Sequence, residues 1–306
     1  MSRIEEIETF LQIARSGSIS GAALVLKIAK SAASRRLAEL EARLGVQLFH
    51  RTTRRLSLTD AGAAFLRRAE RVIDDLEEAE AEASKGQTSL SGTLRIAAPL
   101  SFGLSELRCV IAGFACAHPK VVIDVDFSDR RVDLVGEGFD IAVRIGELAD
   151  SSLVARTLCP IRTAAVASRG FWDANGRPQH PNDLAALPCI RYSNFARPGV
   201  IPYWGAGGES GVIEPPIRML ANNGDFLTEV AVHGAGFLIE PTFLLYKHLR
   251  SGALEAVLTD FAWSKSHLHV VYPPARQRSA RVRAFADAVI AKFSGNPYWD
   301  EGLFPN

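Results

Sequence analysis

Residues 18–45, SISGAALVLKIAKSAASRRLAELEARLG, decide the fold of the N-terminal part of the chain. Ser18 or Ser20 can cap a short helix that runs through Leu26, and the next three residues make a tight turn. A longer helix then extends from about residue 30 to residue 44, because its apolar positions recur at spacings of four, three and four residues. These positions are Ala33, Leu37, Leu40 and Leu44. The stretch therefore predicts a helix-turn-helix.

The flanking segments complete this module. A first helix precedes the pair, and Gly17 can close it in a left-handed conformation. Its apolar residues recur at helical spacing and are Ile4, Ile7, Phe10, Leu11 and Ala14. After Gly45, residues 46–51 and then 52–58 predict two short strands about a basic turn. Together these elements predict a winged helix-turn-helix.

The long helix of the pair carries hydroxyl and cationic side chains near its exposed N-terminal half. A helix fits the major groove of DNA, and the side chains of its first turns reach the base edges. The candidate DNA-contacting residues are Lys30, Ser31, Ala32, Ser34, Arg35 and Arg36. In the wing, Arg51, Arg54 and Arg55 are placed for backbone phosphates or an adjacent minor groove. Lys30 can serve a phosphate rather than a base.

Charge is distributed unevenly along the first ninety residues, although the whole chain is nearly neutral. The chain has 35 Lys and Arg against 34 Asp and Glu, so its net charge does not argue for nucleic-acid binding. Between residues 27 and 71, eleven basic residues accompany four acidic ones, whereas residues 72–90 hold six acids and one lysine. A basic module is therefore joined to an acidic helix.

A long helix is predicted after the wing. Thr59 and Asp60 can cap it, and an apolar stripe continues for roughly 25 residues, which corresponds to about 37 Å. The candidate dimerisation residues on this stripe are Phe65, Ala69, Val72, Ile73, Leu76 and Ala79. The seam can pair with a second copy of the chain or pack against its own domain. Residues 85–92, KGQTSLSG, break the helical pattern and predict a domain boundary.

The first sixty residues closely resemble the DNA-binding domain of LysR-type transcriptional regulators. The matching positions include Gly17-Ser18-Ile19-Ser20-Gly21-Ala22-Ala23, Leu44-Gly45-Val46-Gln47-Leu48-Phe49-His50-Arg51-Thr52 and Leu58-Thr59-Asp60-Ala61-Gly62. Where the family often has Ser-Gln-Pro, this chain has Ala29-Lys30-Ser31, so no operator sequence follows. The resemblance implies a dimerising linker helix, a two-fold site on double-stranded DNA, homodimers or dimers of dimers, and RNA polymerase as a further partner.

The remaining two-thirds of the chain predict an α/β unit. Apolar strands alternate with helices, an order typical of a mostly parallel sheet covered by helices. The predicted strands span 93–98, 121–127, 140–145, 153–158, 163–167 and 267–272. Predicted helices begin near Leu104 and span 131–135 and 282–293.

This part resembles the effector domain of the same family. The stretch 129–146, DRRVDLVGEGFDIAVRIG, is similar to a subgroup of LysR-type regulators. The resemblance implies a winged helix-turn-helix over 1–59, a linker helix and hinge over 60–90, and a C-terminal tail over 296–306. Between them, residues 91–295 form a two-lobed, periplasmic-binding-protein-like effector domain. Lobe one comprises 91–162 and 267–293, lobe two comprises 163–266, and the effector binds between them.

Loops at the carboxyl ends of the predicted strands hold the candidate effector-binding residues. Ligands of open α/β sheets bind there, and helix N-termini present N–H groups that suit anions. The candidates are Ser101, Phe102, Ser128, Arg144, Asn222, Gly224 and Pro241. Arg144 can pair with a carboxylate or form a hinge salt bridge, and Ser128 can bind a ligand or cap a turn. We hypothesise that the effector is a small organic anion, for example a carboxylic acid.

Other functional classes find little support in the sequence. The chain lacks the nucleophile-elbow, phosphate-loop, dinucleotide-loop and zinc-protease motifs, which argues against a hydrolase or an oxidoreductase. His267 and His269 form a weak metal signal that a hydrogen-bonded strand histidine also explains. Four widely spaced cysteines predict reduced structural thiols. The acidic N-terminus predicts a cytoplasmic protein rather than a transport component, and no cofactor, metal or membrane is expected.

Overall fold

The structure, a computed structural model, describes residues 2–51, 56–83, 90–130, 132–148 and 151–304. It divides into two compact units. The first comprises Met1–Thr93 with Val135–Gly138, and the second comprises Leu94–Leu134 with Phe139–Asn306.

The first unit is a winged helix-turn-helix followed by a long helix. Its elements are α1 (Arg3–Ser16), α2 (Ile19–Val25), α3 (Lys30–Leu44), β1 (Phe49–Arg51), β2 (Leu56–Leu58) and α4 (Asp60–Ala83). Helices α1, α2 and α3, the start of β1 and the first half of α4 enclose one apolar core. The buried residues of this core are Phe10, Leu11, Ile13, Ala22, Leu37, Leu40, Leu48, Phe49 and Ala69. The predicted three-helix pattern and the two wing strands are confirmed.

Side-chain caps fix where these helices begin. Of the two serines that could cap α2, Ser18 does so, because its hydroxyl accepts the Gly21 N–H at 2.9 Å. The Thr59 hydroxyl accepts the Gly62 N–H at 2.9 Å at the start of α4. Gly62 also lies against the wing so closely that a Cβ there would be 2.0 Å from the Leu48 carbonyl oxygen. Position 62 therefore requires glycine.

The second unit contains two five-stranded sheets, one in each lobe. In lobe one the strand order is β4-β3-β5-β14-β6, and in lobe two it is β11-β8-β12-β7-β13. The strands of lobe one are β3 (Gly92–Ala98), β4 (Val121–Phe127), β5 (Ile141–Gly146), β6 (Val154–Pro160) and β14 (His267–Tyr272). Those of lobe two are β7 (Thr163–Ala167), β8 (Cys189–Tyr192), β11 (Ile217–Ala221), β12 (Phe237–Pro241) and β13 (Glu255–Val257). A hairpin of β9 (Ile201–Trp204) and β10 (Ser210–Ile213) adds to lobe two.

Helices cover both sheets. Lobe one carries α5 (Leu100–Phe102), α6 (Arg108–Ala117) and α11 (Ala280–Phe293), with a π-helical segment Gly103–Leu107 joining α5 to α6. The short helix α7 (Leu134–Glu137) lies close to the predicted 131–135. Lobe two carries α8 (Arg169–Asn175), α9 (Gly224–Val232) and α10 (Thr242–Ser251).

The sheets are mixed, which corrects the prediction of a mostly parallel sheet. In lobe one, β3 and β5 are parallel, but β14 runs antiparallel to both β5 and β6. In lobe two, β7 runs antiparallel to its neighbours β12 and β13. The chain passes between the sheets after β6 and again before β14, and the first strand after each crossover, β7 and then β14, runs antiparallel to both of its neighbours.

The C-terminal segment packs between the two lobes. Trp299 is 1% exposed, and its ring lies 6.0 Å from that of Phe102 in lobe one and 6.2 Å from that of Phe243 in lobe two. Phe102 and Phe243 are themselves in edge-to-face contact at 5.3 Å. The segment predicted as a tail is thus part of the contact that joins the lobes, since aromatic rings bury large apolar areas.

By length and composition, one helical stretch, Leu100–Ala117, is apolar enough to cross a membrane, with a mean hydropathy of 1.4. Its side chains Phe102, Leu107 and Phe114 are buried in the core of the second unit. Because core helices pass the same test, the composition of this stretch is weak evidence for a membrane span.

Candidate functional site

The N-terminal half of α3 presents a polar, cationic surface. Lys30, Ser31 and Arg35 are exposed, and Ala32 and Ser34 are partly exposed. Ala29, the N-cap residue of α3, has no side chain that can accept a hydrogen bond, so the first N–H groups of the helix are not occupied by a capping side chain. Such N–H groups and the positive end of the helix dipole suit a phosphate.

Arg36 faces α1 rather than this surface, and its role as a DNA contact stays a prediction. Its side chain is only 17% exposed and lies 3.2 Å from the Glu5 carboxylate of α1. It also donates a hydrogen bond to the Thr9 hydroxyl at 3.5 Å. Arg43, further along α3, donates to Glu6 at 2.6 Å. These two arginines therefore fix α3 against α1 and set the direction in which the exposed residues point.

Glu41 holds the wing to α3, and the sequence analysis did not identify this role. Its buried carboxylate accepts the backbone N–H of Leu48 at 2.8 Å and of Phe49 at 3.3 Å. The sequence offered one signal for this role: Glu41 directly follows Leu40, which faces the core of the amphipathic helix. The wing strands pair Phe49 with Leu58 and Arg51 with Leu56.

The predicted phosphate contacts of the wing lie outside what the structure describes. Residues 52–55, which include Arg54 and Arg55, and the side chain of Arg51 are among the undescribed parts. Their roles stay predictions.

The apolar stripe of α4 divides into two parts, and the dimerisation role of its six candidate residues stays a prediction. Phe65, Ala69 and Ile73 pack into the core of their own unit, and the Phe65 ring lies 5.2 Å from that of Phe10. In contrast, Val72 is 53% exposed, Leu76 is partly exposed and Ala79 is exposed. The first half of the stripe therefore serves intramolecular packing, and the exposed part begins near Val72.

In the second unit, polar side chains from both lobes meet. The Ser101 hydroxyl of lobe one donates to the Asp225 carboxylate of lobe two at 2.5 Å. Asp129 of lobe one accepts the Leu100 N–H at 3.0 Å and is hydrogen-bonded to the Tyr192 hydroxyl of lobe two. Burial and the Asp129 carboxylate raise the pKa of Tyr192, so the phenol stays protonated and donates. These residues, Ser101, Asp129, Tyr192 and Asp225, lie at the boundary between the lobes, which we call the cleft.

Glu240, at the end of β12, is the most buried acid of this cleft. Burial raises its pKa to about 8, and the negative charges of Asp129 and Asp225 act in the same direction, while Arg191 opposes them. Its Oε1 atom is buried without a hydrogen-bond partner among the described residues. Sequence analysis missed Glu240, although a charged residue at the end of the apolar strand Phe237–Pro241 is an available signal.

The predicted effector-binding residues fall into three groups. Ser101, Ser128, Gly224 and Pro241 lie at the facing ends of the two sheets, as the strand-end rule predicts. Ser128 donates its N–H to Ala98, but its hydroxyl is buried without a described partner. Phe102 is fully buried in the aromatic contact between the lobes, and Asn222 is exposed beside the residue that caps α9. Arg144 donates to the Val132 carbonyl oxygen at 2.6 Å.

The histidines and cysteines have structural environments. His269 is 5% exposed, its two ring nitrogens lie 3.0 Å from the Gly146 carbonyl oxygen and 3.1 Å from the Thr157 hydroxyl, and burial lowers its pKa. All four cysteines are free thiols. Burial raises the pKa of Cys159 to about 11 and that of Cys189 to about 12, so neither is a thiolate at neutral pH.

Comparison with known proteins agrees with both parts of this arrangement. Residues 4–63 match the family model "Bacterial regulatory helix-turn-helix protein, lysR family". Residues 87–294, more than half of the chain, match "LysR substrate binding domain". The chain belongs to the family of LysR-type transcriptional regulators.

Characterised relatives and solved structures extend over nearly the whole chain. PtxR of Pseudomonas aeruginosa, an HTH-type transcriptional regulator, is 33% identical over 96% of this chain and 94% of its own. The structure of CrgA, a LysR-type transcriptional regulator from Neisseria meningitidis, has a TM-score of 0.59 at 30% identity, covering 96% of this chain and 100% of its own. The Vibrio cholerae virulence activator AphB has a TM-score of 0.61 at 23% identity, covering 95% and 100%, and supports the fold alone. The chain is therefore a DNA-binding transcriptional regulator with a domain for a small-molecule effector.

Proposed function

We propose that the exposed N-terminal half of α3 enters the major groove and that the protein regulates transcription from a two-fold operator. The observation that carries this proposal is the uncapped, exposed first turns of α3, which present Lys30, Ser31, Ala32, Ser34 and Arg35 on one rigid surface. A helix held in this way places hydroxyl and guanidinium donors at base edges, while phosphates at its N-terminus fix the register. The wing residues Arg51, Arg54 and Arg55 add phosphate contacts.

Dimerisation supplies the second half of the operator contact. Two identical modules related by a two-fold axis bind two half-sites of inverted sequence. The exposed part of the α4 stripe, Val72, Leu76 and Ala79, provides an apolar seam for a second copy. Dimers of dimers and contact with RNA polymerase belong to the same proposal.

The cleft between the lobes is the proposed effector site. A ligand that contacts both lobes favours the lobe arrangement that it fits, and it changes DNA binding only if the two arrangements differ in affinity for the operator. The proposal includes the domain limits: the winged helix-turn-helix over 1–59, the linker helix and hinge over 60–90, the effector domain over 91–295 and the C-terminal segment over 296–306. The organic-anion class of effector stays a prediction, although the acidic side chains at the cleft favour the opposite class.

Capture of genomic fragments by the purified full-length protein, followed by footprinting, tests the DNA-binding proposal. We expect a protected site with inverted symmetry, and Arg35→Ala should weaken binding by about 1–3 kcal/mol. Arg218→Ala, an exposed arginine of lobe two, is the matched control and should bind like the unaltered protein. If the Arg35→Ala and Arg218→Ala variants bind DNA equally well, Arg35 of α3 does not contact the DNA. Footprints recorded with and without a cell metabolite extract test the effector response.

A further inference from the structure

Three carboxyl groups converge where the lobes meet. Asp129 comes from lobe one, and Asp225 and Glu240 come from lobe two; both aspartates act electrostatically on Glu240. The donors that the structure gives to the two aspartates here are neutral: the Ser101 hydroxyl, the Leu100 N–H and the Tyr192 hydroxyl. Neutral donors satisfy the geometry of a carboxylate but do not compensate its charge.

The cation that acts on this cluster is already held by the protein. Arg191 is 5% exposed, donates its Nε–H to the Pro198 carbonyl oxygen at 3.1 Å and lies with its guanidinium carbon 4.5 Å from the centre of the Phe195 ring. Among these four charged groups, three are acids and one is a base. The cleft therefore has a surplus of negative charge within the part of the chain that the structure describes.

A second observation points to a ligand. Glu240 is 6% exposed, and its Oε1 atom has no hydrogen-bond partner among the described residues. The Ser128 hydroxyl, on the lobe-one side, is likewise buried without a described partner. Buried polar atoms are almost always hydrogen-bonded, so two unpartnered ones at the same boundary between lobes mark places where a ligand can supply the missing contacts.

The chemistry of these groups defines the ligand class. Within the described residues no three His, Cys, Asp or Glu side chains lie close enough together to hold a metal ion, so the three carboxyl groups do not form a metal site. A primary ammonium has three N–H donors and a guanidinium has five, and either spreads them over several acceptors. We propose that the cleft binds a small organic cation with an ammonium or guanidinium group, and that Glu240, Asp225 and Asp129 accept its hydrogen bonds.

This inference rests on the proposed function in one respect, namely that the cleft is the effector site. Its proton linkage has the opposite sign to that of an organic anion, which would favour the protonated form of Glu240. The carboxyl of Glu240 faces Arg191 and Tyr192 of β8, Asp225 of α9 and Asp129 of lobe one, and it is mostly protonated at pH 7 because its pKa is about 8. A bound cation favours the carboxylate, so the Glu240 proton leaves to solvent as the ion pair forms.

Calorimetric titration of the full-length protein with four-carbon probes tests this inference. Putrescine carries two ammonium groups, 1,4-butanediol is its neutral analogue and succinate is its anionic analogue; agmatine adds a guanidinium. We expect saturable binding of putrescine or agmatine but not of the diol or succinate. Affinity should rise by up to about fifty-fold from pH 6 to pH 8, the limit for release of one proton from a group with a pKa of about 8.

Two variants and one control assign the effect to the cleft. Glu240→Gln copies the shape of the protonated acid, so the fold is kept while the pH dependence of amine binding is lost and affinity falls. Asp225→Asn should also weaken amine binding, whereas Glu214→Gln, at an exposed acid of lobe two, should not.

Binding of succinate rather than the amines, or amine binding that Glu240→Gln leaves unchanged, overturns the inference. If no amine binds but a metabolite extract alters the footprint, the cation inference fails and the effector function stands. If the footprint responds to neither, the effector function itself fails.

Discussion

Replacing Glu240 with glutamine should change how the stability of the effector-binding unit depends on pH. The pKa of Glu240 is raised by burial from 4.5 to about 8 in the folded protein. The folded state therefore holds this proton more tightly than the unfolded state, so its contribution to stability is complete below pH 4.5 and is lost as the pH rises through 8. Glutamine does not titrate, and the variant lacks this dependence.

The magnitude follows from the linkage relation. Each unit of pKa difference corresponds to about 1.4 kcal/mol, so between pH 5 and pH 8 the unaltered protein should lose roughly 3 to 4 kcal/mol relative to Glu240→Gln. Taking the difference between the two proteins cancels the contributions of other buried acids, such as Asp300, whose pKa is also raised by burial.

The assay can be made on the intact chain. All four tryptophans, at positions 172, 204, 263 and 299, lie in the second unit, so urea unfolding followed by tryptophan fluorescence reports on that unit alone. Free energies of unfolding are measured at pH 5, 6, 7 and 8 for both proteins. If the two curves run parallel, with a relative change below about 1 kcal/mol, Glu240 does not have a raised pKa and the reasoning is refuted.

Three further predictions concern the DNA-binding unit. Glu41→Ala should leave the Leu48 and Phe49 amides without their acceptor, which should lower the free energy of unfolding by about 2 to 4 kcal/mol. Hydrogen exchange of these two amides should become faster, and unchanged protection would contradict the proposed role. Gly62→Ala should lower the free energy of unfolding by about 1–3 kcal/mol, because its Cβ would lie 2.0 Å from the Leu48 carbonyl oxygen. An unchanged midpoint of thermal unfolding would show that the start of α4 can shift away from the wing without cost. Arg54→Ala combined with Arg55→Ala should reduce the slope of log affinity against log salt by about one per lost phosphate contact, and an unchanged slope would exclude both arginines from the backbone.

The sequence predicted the N-terminal fold well because local rules determine it. Helical spacing located α1 and α3, and a serine hydroxyl determined the start of α2. The length of the apolar stripe predicted a helix of roughly 25 residues, and α4 has 24. The same local rules could not tell which face of α4 turns inward. Phe65, Ala69 and Ile73 pack into their own core because α1 lies beside them, and that contact joins residues more than fifty positions apart.

Arg36 shows the same limit at the candidate DNA-binding surface. Its neighbour Arg35 has the same chemistry and sits one position away, yet Arg35 is exposed while Arg36 pairs with Glu5. A rotation of about 100° per residue on a helix separates the two side chains. Arg35 pairs with Glu39 of its own helix at 3.7 Å, and the position of α1 decides that Arg36 is the one that meets an acid of another helix. Cationic residues in a recognition helix therefore divide into contacts with DNA and contacts with the scaffold, a division that composition does not reveal.

In the second unit, the rule that ligands bind at strand ends directed the prediction to the boundary between the lobes but did not reveal the charges that lie there. The candidates chosen by that rule were mainly hydroxyls and helix N-termini, which suggested an anion. The charges come instead from Glu240 on β12 and Arg191 on β8, from Asp129 just after β4, and from Asp225 in the first turn of α9. The Ser101–Asp225 and Tyr192–Asp129 contacts join the two lobes. A cationic ligand competes with these neutral donors for the same carboxylates, so its binding must rearrange the contacts that hold the two lobes together.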